Sequence, residues 1–270
     1  MSGMQPSRVI TITTDFGHKG PFAAVMKGVI LSRYPDARII DLAHDIPAQW
    51  PPEAGFWVSR SYPWFPAGSV HLAIVDPGVG TERDILIAEC AGHLFMAPDN
   101  GLLAQLLDSC VDPQVFKLDM NRLDTLNLPA PSATFQGRDI FAPVAAELAA
   151  GRLRIQDIAT RTGDWTPGWI DEPVVTASRI TGVVITIDTF GNLISNIDGK
   201  LLDAFTEPVA DIAGHQIPMR TTYGRAQPGD YLALINSFGV VEIARAEGSA
   251  ADGLGSARGA PLIIRDGYET

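Results

Sequence analysis

Apolar residues in the first half of the chain fall into short runs separated by polar turns, and the runs alternate between two periods. Val9–Thr14 is rich in β-branched residues and breaks at Asp15-Phe16-Gly17, which predicts a strand entering a loop. In Pro21–Tyr34 the apolar positions Phe22, Val25, Met26, Val29 and Ile30 recur at helical spacing, which predicts a helix. Arg38–Leu42 predicts a second strand. Pro52–Tyr62 predicts a helix whose proline sits near the first turn, where a missing N–H costs little. Val70–Val75 is apolar almost throughout and stops at Asp76-Pro77-Gly78, as expected of a central strand buried on both faces. Leu86–Cys90 and Leu94–Ala97 predict paired strands around Ala91-Gly92-His93, and Asn100–Leu107 and Phe141–Ala150 predict helices. This alternation predicts an α/β N-terminal domain with a largely parallel central sheet over residues 8–165.

The pattern changes after Gly151. Residues Arg161–Pro173 are rich in Gly, Pro and Trp with no clean period, and residues 166–178 are read as a linker. Beyond it Thr181–Ile187, Gln216–Met219, Tyr231–Ile235, Val240–Arg245 and Pro261–Ile264 are short strand-like runs between turns. They predict a smaller all-β domain, a barrel or sandwich, over residues 179–268.

Composition narrows the choice of partner. A hydrophobic fraction of 46% in 270 residues suffices for a core, and a formal net charge of −11 disfavours nucleic acid and anionic membranes. The N-terminus has no basic stretch followed by an apolar one, and no apolar run approaches ~18 residues, so a soluble, cytoplasmic protein is expected. Cys90 and Cys110 lie in apolar surroundings without metal spacing and are expected to be buried free thiols. The five histidines show no H-x-x-x-H spacing, so no metal is expected, and no G-x-S-x-G elbow is present.

Candidate chemistry gathers where predicted strands end. Asp15 and Asp76 fall at carboxyl ends of strands, where α/β sheets collect ligands, and a carboxylate there can accept both hydroxyls of a ribose. Each can equally cap a turn. Asp76-Pro77-Gly78-Val79-Gly80-Thr81-Glu82-Arg83 combines flexible glycines with an acid and a base, yet it is neither a Walker loop nor a dinucleotide fingerprint. Phe135-Gln136-Gly137-Arg138-Asp139 precedes a helix, and Arg138 and Asp139 can simply pair there. Asp188-Thr189-Phe190-Gly191-Asn192 reads either as a ligand contact or as a hairpin corner.

Taken together and in order, these segments resemble the SAM hydroxide adenosyltransferase family, hydrolytic relatives of the S-adenosylmethionine (SAM)-dependent fluorinase and chlorinase. The resemblance is carried by Thr14-Asp15-Phe16-Gly17, Met26-Lys27-Gly28, Val75 to Thr81, Ala97 to Leu103, Thr134 to Pro143, Asp188 to Asn192, and Asn236-Ser237 through Ile243-Ala244-Arg245. It implies hydrolysis of SAM to adenosine and methionine by attack of water or hydroxide on the ribose C5′ carbon, with no cofactor. It also implies a homotrimer with SAM or adenosine at the subunit interface. Asp15 is similar to the ribose diol acceptor, Asp188 and Ser237 to contacts with the methionine amine and carboxylate, and Phe190 and Asn192 to adenine-side contacts, with Arg245 near the same end. Asp76 and Arg83 occupy two positions of an Asp–Arg–His group associated with water activation. The third position holds Gln136, which cannot carry a proton near neutral pH. The competing expectation is a SAM- or adenosine-binding protein with little turnover.

Overall fold

A computed structural model describes residues 5–267, in a first compact unit that ends at Trp169 and a second that begins at Ile170. The first unit is built on one seven-stranded sheet. Its strands are β1 (Val9–Thr14), β2 (Arg38–Ala43), β3 (Val70–Ile74), β4 (Ile85–Cys90), β5 (His93–Pro98), β6 (Gln114–Leu118) and β7 (Ala159–Thr162), in the order β2-β1-β3-β5-β4-β6-β7. Its helices are α1 (Phe22–Arg33), α2 (Pro51–Ser61), α3 (Ala104–Ser109), α4 (Ala142–Ala149) and the single turn α5 (Ile155–Ile158). Ala23, Met26 and Ile30 turn the buried face of α1 inward. With the alanine-rich α4 they cover one face of the sheet, while α2 and α3 cover the other. Strands β1, β3 and β5 are buried along their whole length between these layers, as continuous apolar runs require.

The sheet is mixed rather than largely parallel. Strands β2, β1, β3 and β5 run parallel, but β4 is antiparallel to β5 and β6, and β6 is antiparallel to β7. The cause is local. Ala91 and Gly92, both with positive φ (48° and 78°), form a two-residue hairpin turn, and so short a connection can join only antiparallel neighbours. Cys90 and Cys110 are also not free thiols. They form a disulfide between Cα atoms 6.1 Å apart, because α3 lies over the end of β4. Cysteine count and spacing carry no information about that approach.

The second unit contains β8 (Val174–Val175), β9 (Arg179–Ile187), β10 (Leu193–Asp198), β11 (Pro208–Ile212), β12 (His215–Pro218), β13 (Tyr231–Ile235), β14 (Val240–Arg245), the short helix α6 (Ala250–Leu254) and β15 (Pro261–Asp266). The antiparallel order is β12-β11-β15-β9-β10-β14-β13, with β8 paired to β9. A bridge from Met219 to Ala233 links the segment after β12 to β13 and nearly closes the sheet into a barrel. Its interior is filled by Ile180, Val184, Leu193, Ile243, Leu262 and Ile264 among others. Among the described residues, no helix is long and apolar enough to cross a membrane.

Candidate active site

Parallel strands deliver their carboxyl ends to one edge of the first unit. Asp15 follows β1, His44 follows β2, Asp76 follows β3 by two residues, and Asp99-Asn100 follows β5. Asp76 is held there. The Asn100 Nδ2 donates to the Val75 carbonyl at 2.9 Å, fixing the chain immediately before it, and the Trp169 indole donates to the Asn100 carbonyl at 2.7 Å.

Asp76, Arg83 and Gln136 are brought together. Arg83 Nε donates to Asp76 Oδ1 and Oδ2 at 3.0 and 2.9 Å, and its Nη2 donates both to Asp76 Oδ2 and to Gln136 Oε1, the latter at 2.5 Å. The Asp76 and Arg83 side chains are only 6% and 10% exposed. Two features bend the chain to make this possible. The Asp76–Arg83 segment turns through Gly80 at φ 80°, where a Cβ would come within 2.4 Å of the Ala133 carbonyl, so the loop packs directly on the segment that leads to Gln136. Gln136 then opens a π-helical turn, Gly137–Phe141, in which Gly137 lies against Met26, Phe135 and Phe16.

The surroundings are apolar on one side and charge-balanced on the other. Phe16, Phe22 and Phe135 pack at centroid separations of 5.5 to 6.0 Å, and the Arg83 guanidinium lies 5.9 Å from the Phe141 ring centre. The low exposure of the Asp76 and Arg83 side chains strengthens the electrostatics between them. With Oε1 engaged by Arg83, the Gln136 amide keeps its two N–H donors for other partners. Asp139 belongs to the scaffold. The Arg138 hydrogen bond holds its carboxyl down to about 2 against the opposing effect of burial, with Ser132 adding to the lowering.

Asp15 is held differently. Its Oδ2 accepts from the Gln49 N–H at 3.0 Å, and Phe16, its neighbour in sequence, reaches Gly137 at the Gln136 turn. Trp50, next along the chain from Gln49, has a buried indole N–H with no partner among the described residues. Sequence patterns did not single out His44, Gln49 or Trp50, and placed Asn100 in the Ala97–Leu103 segment without giving it a role in the site. The one signal available for His44 was its place at the end of a predicted strand.

In the second unit Asp188, Phe190, Asn192 and Arg245 line one pocket of about 620 Å³, together with Tyr223, Ala246, Glu247, Gly248 and Ser249. Asp188 Oδ1 accepts from the Phe190 and Asn192 backbone N–H groups and Oδ2 from Asn192 Nδ2, each at 2.9 Å. Gly191 closes this turn at φ 82°, where a Cβ would collide with Ser249. Phe190 is left 78% exposed. Arg245 donates to the Gly229 carbonyl at 3.2 Å and lies over the Tyr231 ring, with no carboxylate partner among the described residues. Ser237 does not line the pocket. It sits in the exposed turn joining β13 to β14, at the far end of β14 from Arg245. The buried Glu242 links the two places, accepting from Tyr223 of the pocket at 2.6 Å and from Asn236 of the turn at 3.1 Å. Burial raises the Glu242 carboxyl despite these two bonds, with Asp188 adding to the rise.

Comparison with known proteins places this geometry in context. Residues 10–159 match the SAM hydroxide adenosyltransferase N-terminal domain, and residues 182–263 match the C-terminal domain of the same family. The chain is 36% identical over 263 residues to the (R)-S-adenosyl-L-methionine hydrolase of Thermus thermophilus, covering 95% of this chain and 99% of that protein. It is 25% identical to a fluorinase of Actinopolyspora mzabensis, covering 93% and 95% of the two chains. An uncharacterized conserved protein from Thermotoga maritima has a similar solved structure, with a TM-score of 0.86 and 31% identity, covering 95% of this chain and 99% of that one.

Proposed function

The chain belongs to the SAM hydroxide adenosyltransferase family, and from that premise we propose that it hydrolyses S-adenosyl-L-methionine to adenosine and L-methionine. The relatives' name specifies the R epimer at sulfur, and that epimer is the proposed substrate.

The observation that carries the reading is the part-buried Asp76–Arg83–Gln136 group at the edge where the parallel strands end. Methionine leaves a sulfonium as a neutral thioether, so the leaving group needs no proton. What remains is to hold an oxygen nucleophile in line behind C5′ and strip it of bulk water. Asp76 Oδ2 accepts from both Nε and Nη2 of Arg83, but Oδ1 keeps a lone-pair site beyond its bond to Nε, so Oδ1 can orient a water and take its proton as the C–O bond forms. Arg83 fixes that carboxylate and offsets the charge that develops on oxygen. Gln136 directs an amide N–H at the water and takes no proton. The same negative charge at position 76 repels halide, which favours hydrolysis over halogenation.

Asp15 serves as acceptor for the ribose hydroxyls. From the second unit, Phe190 and Asn192 take the adenine side, with Arg245 near them, and Asp188 takes the methionine amine; Ser237, which stands outside their pocket, is given no role. The two sets of residues lie in different units, and a homotrimer that assembles each site across a subunit interface is taken over from the family resemblance.

Incubation with SAM in ¹⁸O-water tests the reading. Stoichiometric adenosine and methionine are expected, with ¹⁸O in the adenosine 5′-hydroxyl, and no 5′-halo-adenosine at high halide. Binding of SAM without single-turnover adenosine would leave a binding protein in place of a hydrolase.

A further inference from the structure

The loop after β2 grips the turn that carries Asp15 at three points. His44 Nδ1 lies 2.8 Å from Thr14 Oγ1, the Gly17 N–H donates to the His44 carbonyl at 2.8 Å, and the Gln49 N–H donates to Asp15 Oδ2 at 3.0 Å. Asp15 is thus bracketed by two residues, Thr14 and Gly17, that are both tied to His44.

The direction of the side-chain bonds can be worked out. Asp41 is a carboxylate paired with Lys27 Nζ at 2.5 Å and can only accept, so His44 Nε2, 3.0 Å from Asp41 Oδ1, carries a proton. In the tautomer that carries its proton on Nε2, Nδ1 is the acceptor. The Thr14 hydroxyl donates to it, and the hydroxyl oxygen in turn accepts the Phe16 N–H at 3.3 Å. Donation therefore runs one way, from Phe16 through Thr14 and His44 to Asp41. The His44 side chain is 1% exposed, so water cannot replace these partners.

We propose that His44 is a positioning residue that sets the angle at which the Asp15 carboxylate meets the ribose hydroxyls, and thereby sets the preference for a ribose over a deoxyribose. This rests on Asp15 being the diol acceptor. His44 itself is locked on both nitrogens, and its effect on the substrate passes through the Thr14–Asp15–Phe16 turn.

The test is a comparison of adenosine with 2′,3′-dideoxyadenosine binding by calorimetry, in wild type and in Thr14→Val, His44→Gln and His44→Asn. Wild type is expected to favour adenosine by about tenfold or more, the effect of unmade hydrogen bonds to a carboxylate. Thr14→Val removes the hydroxyl at constant shape, and His44→Gln keeps reach to Asp41 but withdraws the acceptor from Thr14. Both should reduce the preference several-fold and leave dideoxyadenosine binding unchanged. His44→Asn, whose side-chain carbonyl stands near the Nδ1 position, should retain most of the preference. Equal weakening of both ligands alongside a lowered melting temperature would mean a role in folding alone and would overturn the proposal. An unchanged preference in Thr14→Val and His44→Gln would overturn it too. If wild type shows no preference, the Asp15 assignment fails and the proposal falls with it, whereas SAM turnover by wild type, measured in parallel, tests the hydrolase reading separately.

Discussion

Replacing Asp76 with asparagine separates the chemical part of the site from its structural part. The substitution conserves shape and removes the negative charge that faces Arg83. Both side chains are nearly buried, at 6% and 10% exposure, and a guanidinium left there without its counter-charge is expected to cost about 3–5 kcal/mol. Gln136 Oε1 and the Phe141 ring still face Arg83, so the lower end, about 3 kcal/mol, is the better figure. For a protein of this size that is a fall of roughly 6–12 °C in melting temperature. Loss of the group that orients the water and takes its proton should lower kcat by about 10²–10⁴. Adenosine affinity should hold, because the ribose and adenine contacts are made elsewhere. Arg83→Met alone should destabilise in the same way by stranding Asp76. The double variant Asp76→Asn/Arg83→Met should melt closer to wild type than either single variant, yet stay inactive. Calorimetry and single-turnover conversion of SAM supply both readouts. Asp76→Asn retaining more than about a tenth of wild-type kcat would refute the reasoning, since no residue would then be needed in the role given to Asp76.

Gln136→His should not raise kcat by anything near the ~100-fold that a general base supplies, and the pH–rate profile should gain no limb near the histidine range; such a gain would show that Gln136 marks a lost base. Burial, with His93 nearby, pushes His71 down to about 3, so the unfolded chain binds its proton first as pH falls below the ordinary histidine value. Stability present near neutrality should therefore decline by about 1.4 kcal/mol per pH unit below about 6.5, read from urea midpoints, and His71→Gln should lose most of that slope. Reduction of the Cys90–Cys110 disulfide, which spans 20 residues, should cost about 3 kcal/mol and lower the melting temperature; two titratable thiols in the unreduced native protein would refute the bond.

What the sequence made legible follows from what period and turn chemistry encode. Strands β1 and β3 were readable as β-branched or apolar runs buried along their whole length, helices α1 and α2 because each buries one face, and Asp15 and Asp76 because they follow where those runs break. Strands β6 and β7 were not, since Ala159–Thr162 is half polar and gains its place only by pairing with β6. Strands β10 and β11 escaped for a related reason. In Leu193–Asp198 the buried Ser195 and Asn196 interrupt the apolar pattern, and each is satisfied by a bond to residues distant in sequence, Val241 and Asp171. The contacts that complete the site are of this distant kind as well. Gln136 meets Arg83 across 53 residues, and His44 meets Thr14 across 30. No local pattern records such distances.

The reaction assigned to this chain asks unusually little acid–base chemistry of the protein and a great deal of placement. A departing thioether needs no proton, so rate depends on how closely a nucleophile is held in line and how dry it is kept. In the mechanism proposed above, the carboxylate that holds the nucleophile stands two residues beyond the end of β3, with Asn100 clamping Val75 immediately before it. Arg83 then occupies both oxygens of Asp76, which removes the rotation a free carboxylate would have. Such an arrangement explains how Gln136 can stand where a histidine is expected. Once Asp76 is fixed and desolvated it can receive the water's proton itself, and the third residue need only aim a donor, which a carboxamide does at every pH.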